Sequence, residues 1–166
     1  MEARTRLKLP PPFELAMSRH EREIMRYLMR TTGDREDALD LFQETFLRAY
    51  RAYPQLDSEA GLRPWLFRIA TNLCLNRKRD RMRRSRVMAS EELGDNHEGT
   101  SLHGADDGVL HLKAMIARLP NKQREALMMR KFGGLEYDEI ADALGCSAEA
   151  ARAGVYQALK KLKAAE

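Results

Sequence analysis

The chain of 166 residues carries 29 Lys and Arg against 25 Asp and Glu, a formal charge of +4, and 43% of its residues are hydrophobic. That is enough apolar material for one ordinary domain or two small helical ones. No apolar run approaches the ~18 residues of a membrane span, and the N-terminus, MEARTRLKLPPPF, lacks the apolar middle of a signal peptide, so no membrane insertion is expected. Cys74 and Cys146 lie too far apart in sequence to suggest a disulfide framework and suit a reduced cytoplasm.

Residues 1–12 end in Pro10-Pro11-Pro12, which favours an extended, disordered tail. From Phe13 to Arg30 the spacing of Phe13, Met17, Ile24, Tyr27 and Leu28 predicts one amphipathic helix. Gly33 is placed to end it, and Asp34 to cap the next. Arg35–Tyr53 reads as a second helix whose core stripe is Leu39, Phe42, Phe46, Ala49 and Tyr53. Asp40, Gln43, Glu44 and Leu47 lie off that stripe. Pro54 stops the helix, and residues 53–61 form a loop.

The third helix, Leu62–Arg86, begins apolar and ends basic. Leu62, Trp65, Leu66, Ile69 and Leu73 share one face, and Trp65 is expected in the core. Arg68, Asn72, Asn76, Arg79 and Arg83 form a strip of amides and guanidinium groups beside it. The charge is sharply segregated: residues 1–76 carry +1, 77–86 carry +6, 87–108 carry −6 and 109–166 carry +3. A helix end with seven cations points to a polyanion such as a phosphate backbone, against the plainer alternative of a solvated helix end. Residues 87–108 hold four glycines, six carboxylates and no Lys or Arg, the composition of a flexible acidic linker.

Beyond the linker, residues 109–166 predict a second helical unit: Leu110–Leu119, stopped by Pro120; Asn121–Phe132, with Asn121 as cap; Glu136–Leu144, closed by Gly145; and Ser147–Ala165, capped by Ser147. A short helix, a tight Gly-containing turn and a longer helix ending in Lys160, Lys161 and Lys163 is the helix-turn-helix pattern, whose second helix fits a DNA major groove. His20, His97, His103 and His111 share no metal-ligand spacing with either cysteine. There is no Gly-rich phosphate loop, nucleophile elbow or pair of carboxylates in an apolar setting. The expectation is a binding protein without metal, cofactor or catalytic residues.

Three segments, Asp34–Arg51 (DREDALDLFQETFLRAYR), Leu62–Asn76 (LRPWLFRIATNLCLN) and Leu119–Leu162, resemble in order the extracytoplasmic-function, or group IV, RNA polymerase sigma factors. The resemblance implies an all-α protein of two small helical domains. Residues 13–86 would be region 2, binding core polymerase and the minus-ten element, and residues 109–166 region 4, binding the minus-thirty-five element, with residues 87–108 joining them. It implies that Asp40, Gln43 and Glu44, with Leu39 and Arg48, face the clamp coiled coil of the largest polymerase subunit. Tyr53, Gln55 or Asp57 would capture an extruded base of the non-template strand, at a cost of a few kcal/mol in unstacking. Arg68, Asn72, Asn76, Arg79 and Arg83 would complete the minus-ten surface. Ser147, Glu149, Arg152, Ala153, Tyr156, Gln157 and Lys160 would read the upstream element, although Ala150, Gly154 and Gln157 depart from residues frequent in the family and Glu136 replaces a common Ser cap. Gly154 in mid-helix suggests a close approach to another helix or to DNA. The implied function is an alternative sigma factor that recruits polymerase and assists strand opening, under control of an anti-sigma factor. A stand-alone helix-turn-helix regulator and a helical protein that mimics a sigma factor are the rivals; the first leaves Asp34–Arg51 without a role, the second the cations of 77–86.

Overall fold

The computed structural model describes residues 12–56, 61–91 and 107–164, and in the helical stretch 86–91 and at position 110 only the backbone is described. All regular structure among these residues is helical. The first predicted helix is two: α1 (Phe13–Ser18) and α2 (Glu21–Thr32). The Arg19-His20 junction turns the chain, with the His20 N–H on the Met17 carbonyl, so Met17 and Ile24 enter the core from different helices. Gly33 ends α2 at φ 73°, and the Asp34 carboxylate accepts the Asp37 N–H to start α3 (Arg35–Ala52).

The core face of α3 is offset from the expected stripe. Ala38, Leu41, Thr45 and Ala49 are buried, Phe42 and Phe46 half-buried, and Leu39 is exposed. Three of these four buried residues are small, where α3 lies against both α2 and α4; the two phenylalanines sit at the edges of the line. A short 3-10 turn, Tyr53–Gln55, follows, and Tyr53 packs under the ring of Phe13.

Helix α4 (Leu62–Glu91) spans 30 residues, about 45 Å at 1.5 Å per residue. It is longer than the composition suggests, since its last five residues lie in the acidic segment. Leu62, Leu66, Phe67, Ala70, Thr71, Leu73, Cys74 and Leu75 are buried, while Trp65 and Ile69 are half-buried against the core. Inside, the Thr71 hydroxyl donates to the Phe67 carbonyl and accepts from the Tyr27 hydroxyl, both at 2.7 Å. Burial pushes the Tyr27 phenol above its ordinary pKa and the Cys74 thiol up to about 12.

The C-terminal unit comprises α5 (Asp107–Arg118), α6 (Asn121–Met128), α7 (Tyr137–Leu144) and α8 (Ala148–Lys163). Pro120, not Asn121, occupies the cap position of α6, and the Asn121 side chain accepts from Arg124. The last turn before Gly134 is a π-turn, Met129–Gly133. Glu136 caps α7 better than a lone Glu would, because its N–H donates to the Glu139 carboxylate at 2.9 Å. Gly145 (φ 62°) closes α7, and Ser147 accepts the Ala150 N–H to start α8. Ile140, Ala141, Ala151 and Val155 are buried where α7 and α8 cross, with Leu144 and Leu159 at the margin.

The two units share one continuous apolar core. Helix α4 meets α7 and the π-turn, which also touches α2. Two glycines test this packing in opposite directions. A Cβ on Gly133 would stand 2.7 Å from the Phe67 ring and 2.9 Å from Leu135, both buried, whereas one on Gly154 would meet Ala126 at an ordinary 3.7 Å. Gly133→Ala should therefore destabilise the chain by about 1–3 kcal/mol, and Gly154→Ala should stabilise it by up to ~1 kcal/mol. Urea unfolding of the two variants checks both signs.

Candidate polymerase and nucleic-acid interfaces

The outward face of α3 carries Leu39, Asp40, Gln43, Leu47 and Arg48, with Glu44 half-exposed. Glu44 accepts from Arg48 Nε at 2.6 Å, so these two present a nearly neutral pair. Leu39 at 38% and Leu47 at 45% exposure add an apolar component. Leu39 thus belongs to this face and not to the core, which corrects the stripe read from spacing. Leu47 joins the same surface although it was not among the expected site residues. A cleft of about 770 Å³ runs between this face and α4, lined by Asp40, Gln43, Glu44, Arg48, Asn76 and Arg84 among others.

On α4 the side chains of Arg68, Asn72, Asn76, Arg79 and Arg83 are exposed along one strip, as spacing implies. Of the loop candidates, Gln55 is exposed, Asp57 lies outside the described residues, and Tyr53 is only 8% exposed, pinned edge-on by Phe13 at 5.4 Å. Tyr53 in this position supports the turn more than it displays a ring. The cations of 77–86 do not act as a uniform block. Arg77 and Arg81 turn towards α3 and pair with Asp37 and Asp40. Lys78 sits towards the C-terminal unit, where burial and the nearby Arg124 and Lys113 charges lower its pKa. Among the described residues Arg79, Arg83 and Arg84 form no ion pair.

On α8 the residues Glu149, Arg152, Ala153, Tyr156, Gln157 and Lys160 are exposed and recur at three- and four-residue steps, making one open face. Tyr156 stands out at 64% exposure. Ser147 is exposed, but its oxygen is engaged in the cap. Arg152 lies over the Tyr137 ring, 5.1 Å from its centroid, with Arg130 on the same ring at 4.9 Å. The opposite side of the helix-turn-helix, through α7, is turned onto α4.

That contact is held by a residue the sequence did not single out. Arg63 donates to Glu23 at 2.9 Å and to both oxygens of Glu139 at 2.5 and 2.6 Å, and its guanidinium lies 5.4 Å from the centre of the Phe67 ring. Arg30 adds a bond to the Phe132 carbonyl at 3.3 Å. Burial opposes the charge of Arg63, but its bonds to Glu139 and Glu23 outweigh this and raise its pKa above the ordinary value. Burial likewise opposes the charge of Glu139. Hydrogen bonds from Arg63 and the Glu136 N–H prevail and hold the carboxyl below its usual range. No pattern of spacing could have found Arg63, whose carboxylate partners lie 40 and 76 residues away.

Residues 16–84 match the family model of sigma-70 region 2, and residues 110–162 that of sigma-70 region 4. The chain is 36% identical over 137 residues to the ECF RNA polymerase sigma factor SigC of Mycobacterium tuberculosis, covering 80% of this chain and 71% of that protein. The chain belongs to the ECF family of RNA polymerase sigma factors. It is an alternative sigma factor, which directs RNA polymerase to promoters, and α7–α8 is its region 4 helix-turn-helix. The RNA polymerase sigma-H factor of Pseudomonas aeruginosa is 29% identical over 157 residues, 88% of this sigma factor and 81% of that one. In fold the sigma factor matches RpoE of Bartonella quintana, solved in complex with the anti-sigma factor NepR, at a TM-score of 0.64 and 21% identity over 91% of this chain and 94% of that one. No described helix is long and apolar enough to cross a membrane.

The sign of the Glu139 shift sets a pH dependence. A carboxyl held below its unfolded pKa adds stability above that value, and the contribution is lost as pH falls through the folded one. Glu139→Gln should cost about 1–3 kcal/mol near neutral pH, the scale of hydrogen bonds to a charged group, and the gap to wild type should close as pH falls through and below the ordinary carboxylate range. Denaturant titrations of both chains across that range measure it.

Proposed function

We propose that region 2 of this sigma factor comprises residues 13–86 and region 4 residues 109–166, with residues 87–108 as an acidic tether. Leu39, Asp40, Gln43, Glu44 and Arg48, joined by Leu47, dock on the clamp coiled coil of core polymerase. An exposed apolar pair ringed by carboxylates and an amide suits a partner helix carrying cations around an apolar strip. The minus-ten element is held as a melted strand by Arg68, Asn72, Asn76, Arg79 and Arg83. Their amides suit base edges and their guanidinium groups suit phosphates. Gln55 and Asp57 receive an extruded base, with Tyr53 supporting the turn behind them. Glu149, Arg152, Ala153, Tyr156, Gln157 and Lys160, with Ser147 at the helix start, meet the minus-thirty-five element.

The observation that carries this reading is the exposure of three separate polar faces, on α3, α4 and α8, in a chain whose α7 side is closed against α4. Closure has a consequence. Two elements about two and a half helical turns of DNA apart are separated by roughly 85 Å, far more than adjoining helices span. The α4–α7 seam therefore parts when one chain reads both elements. An anti-sigma factor that stabilises the closed arrangement would keep the chain silent, and the action is cytoplasmic, without catalysis by this chain.

The test is reconstitution with core polymerase and promoter fragments, measuring co-migration and transcripts. The sigma factor should join core at low salt and yield transcripts; failure to join it would refute the reading. Gln43→Ala with Leu47→Ala should weaken core binding about tenfold, on the scale of centrally placed interface residues, while leaving binding of free DNA unchanged. An equal loss in both assays would show that this face is misassigned.

A further inference from the structure

A second cleft, of about 380 Å³, opens between the two units. Arg30 and Thr31 of α2 and Lys78 of α4 line one side, and residues of α5, α6 and the π-turn line the other. Its apolar wall is made by Ile116, Met128 and Phe132, with Val109 and Leu112 each 45% exposed. Four cations, Arg30, Lys78, Lys113 and Lys131, join this wall, and no carboxylate does. Among the described residues Lys78, Lys113 and Lys131 form no ion pair, and Arg30 donates to the uncharged Phe132 carbonyl. The Lys113 amine reaches from α5 to the end of α2, where a Cβ on Gly33 would stand 2.6 Å from it. Burial, and then the nearby Arg124 and Lys113 charges, lower the pKa of Lys78. Cations gathered on an apolar surface without counter-charge are unfavourable, and a bound anion relieves them.

We propose that this cleft binds an amphiphilic anion, a carboxylate on an unbranched apolar chain of medium length. The cations hold its head, and its chain lies on Ile116, Met128 and Phe132. Charge and size together select this class. A free phosphate or a nucleic-acid backbone would engage the cations and leave the apolar wall uncovered. Two turns of a partner helix about 10 Å across need roughly 850 Å³, over twice the space the cleft offers. The volume lies at the lower end of the ~300–1,000 Å³ of small-ligand sites, which combine apolar walls with a few polar groups. Because both units line the cleft, an occupant ties them together and favours the closed arrangement. That consequence rests on the reading that the seam parts at the promoter; the binding itself does not.

Isothermal titration calorimetry of the full chain with decanoate, below its micelle-forming concentration, tests the site. Saturable, one-to-one binding is expected. Each buried methylene is worth about fourfold, so octanoate should bind roughly tenfold more weakly. Decyltrimethylammonium, with the same chain and a cationic head, should not bind. Lys113→Gln with Lys131→Gln should weaken decanoate binding about tenfold, and Leu112→Glu, at an exposed position, should abolish it. The proposal is overturned if the cationic amphiphile binds as well as decanoate, or if the double lysine variant binds decanoate like wild type. It is also overturned if decanoate does not bind saturably; binding of an acidic amphipathic peptide in its stead would give the cleft to a protein partner. Decanoate added before core polymerase should lower transcript yield with wild type and not with the double lysine variant. Binding without that loss would contradict the parting of the seam and leave the site standing.

Discussion

A guanidinium placed between carboxylates from two different helices fixes how the halves of this sigma factor meet. Arg63, near the start of α4, takes Glu23 from α2 and Glu139 from α7, and its guanidinium lies over the Phe67 ring that closes on Gly133. Glu139 is doubly committed, since it also accepts the Glu136 N–H that opens α7. The cap of the first helix of the helix-turn-helix and the seam between the units are therefore one electrostatic device. Such a half-buried network is stable while complete and costly when one partner is lost. It adds a directional tie to the apolar core that the two units share.

Closure decides which faces remain open. Turning α7 onto α4 leaves the α8 face with Arg152 and Tyr156 in solvent, the amide and guanidinium strip of α4 exposed, and the α3 face free beside its cleft. Hydrophobic burial thus organises the molecule around surfaces that it does not itself use. The charge distribution is more economical than the bare sequence suggests. Of the cations in 77–86, Arg77 and Arg81 neutralise α3 carboxylates, Lys78 faces the other unit, and Arg79, Arg83 and Arg84 remain on the exposed side.

Much of this was legible in the sequence because it is local. Gly33, Gly145, Asp34 and Ser147 act at the caps their residue types suggest, and the strip from Arg68 to Arg83 follows from the helical period alone. The misses have a common cause in tertiary packing. Leu39 looked like core because large apolar residues recur with it, but the line of α3 turned to α2 and α4 is Ala38, Leu41, Thr45 and Ala49, and Leu39 lies outside it. Tyr53 was read both as the end of the core stripe and as a base-capturing loop residue; it is buried, as the stripe implies, with Phe13, forty residues earlier, packed edge-on against it. The break after Ser18 carries neither Gly nor Pro, so no local signal marks it. Arg63 and the Asp37–Arg77 pairs depend on contacts between distant helices, which spacing cannot encode.

The central claim is that the seam is closed in the free sigma factor and parts on the promoter. Energy transfer between fluorophores on Glu36→Cys and Asp142→Cys, both exposed positions, with Cys146→Ser, measures it directly. A single short distance is expected in the free chain, lengthening by several tens of ångströms in the polymerase–promoter complex, as the ~85 Å between the two DNA elements requires. The same distance in both states would contradict the account.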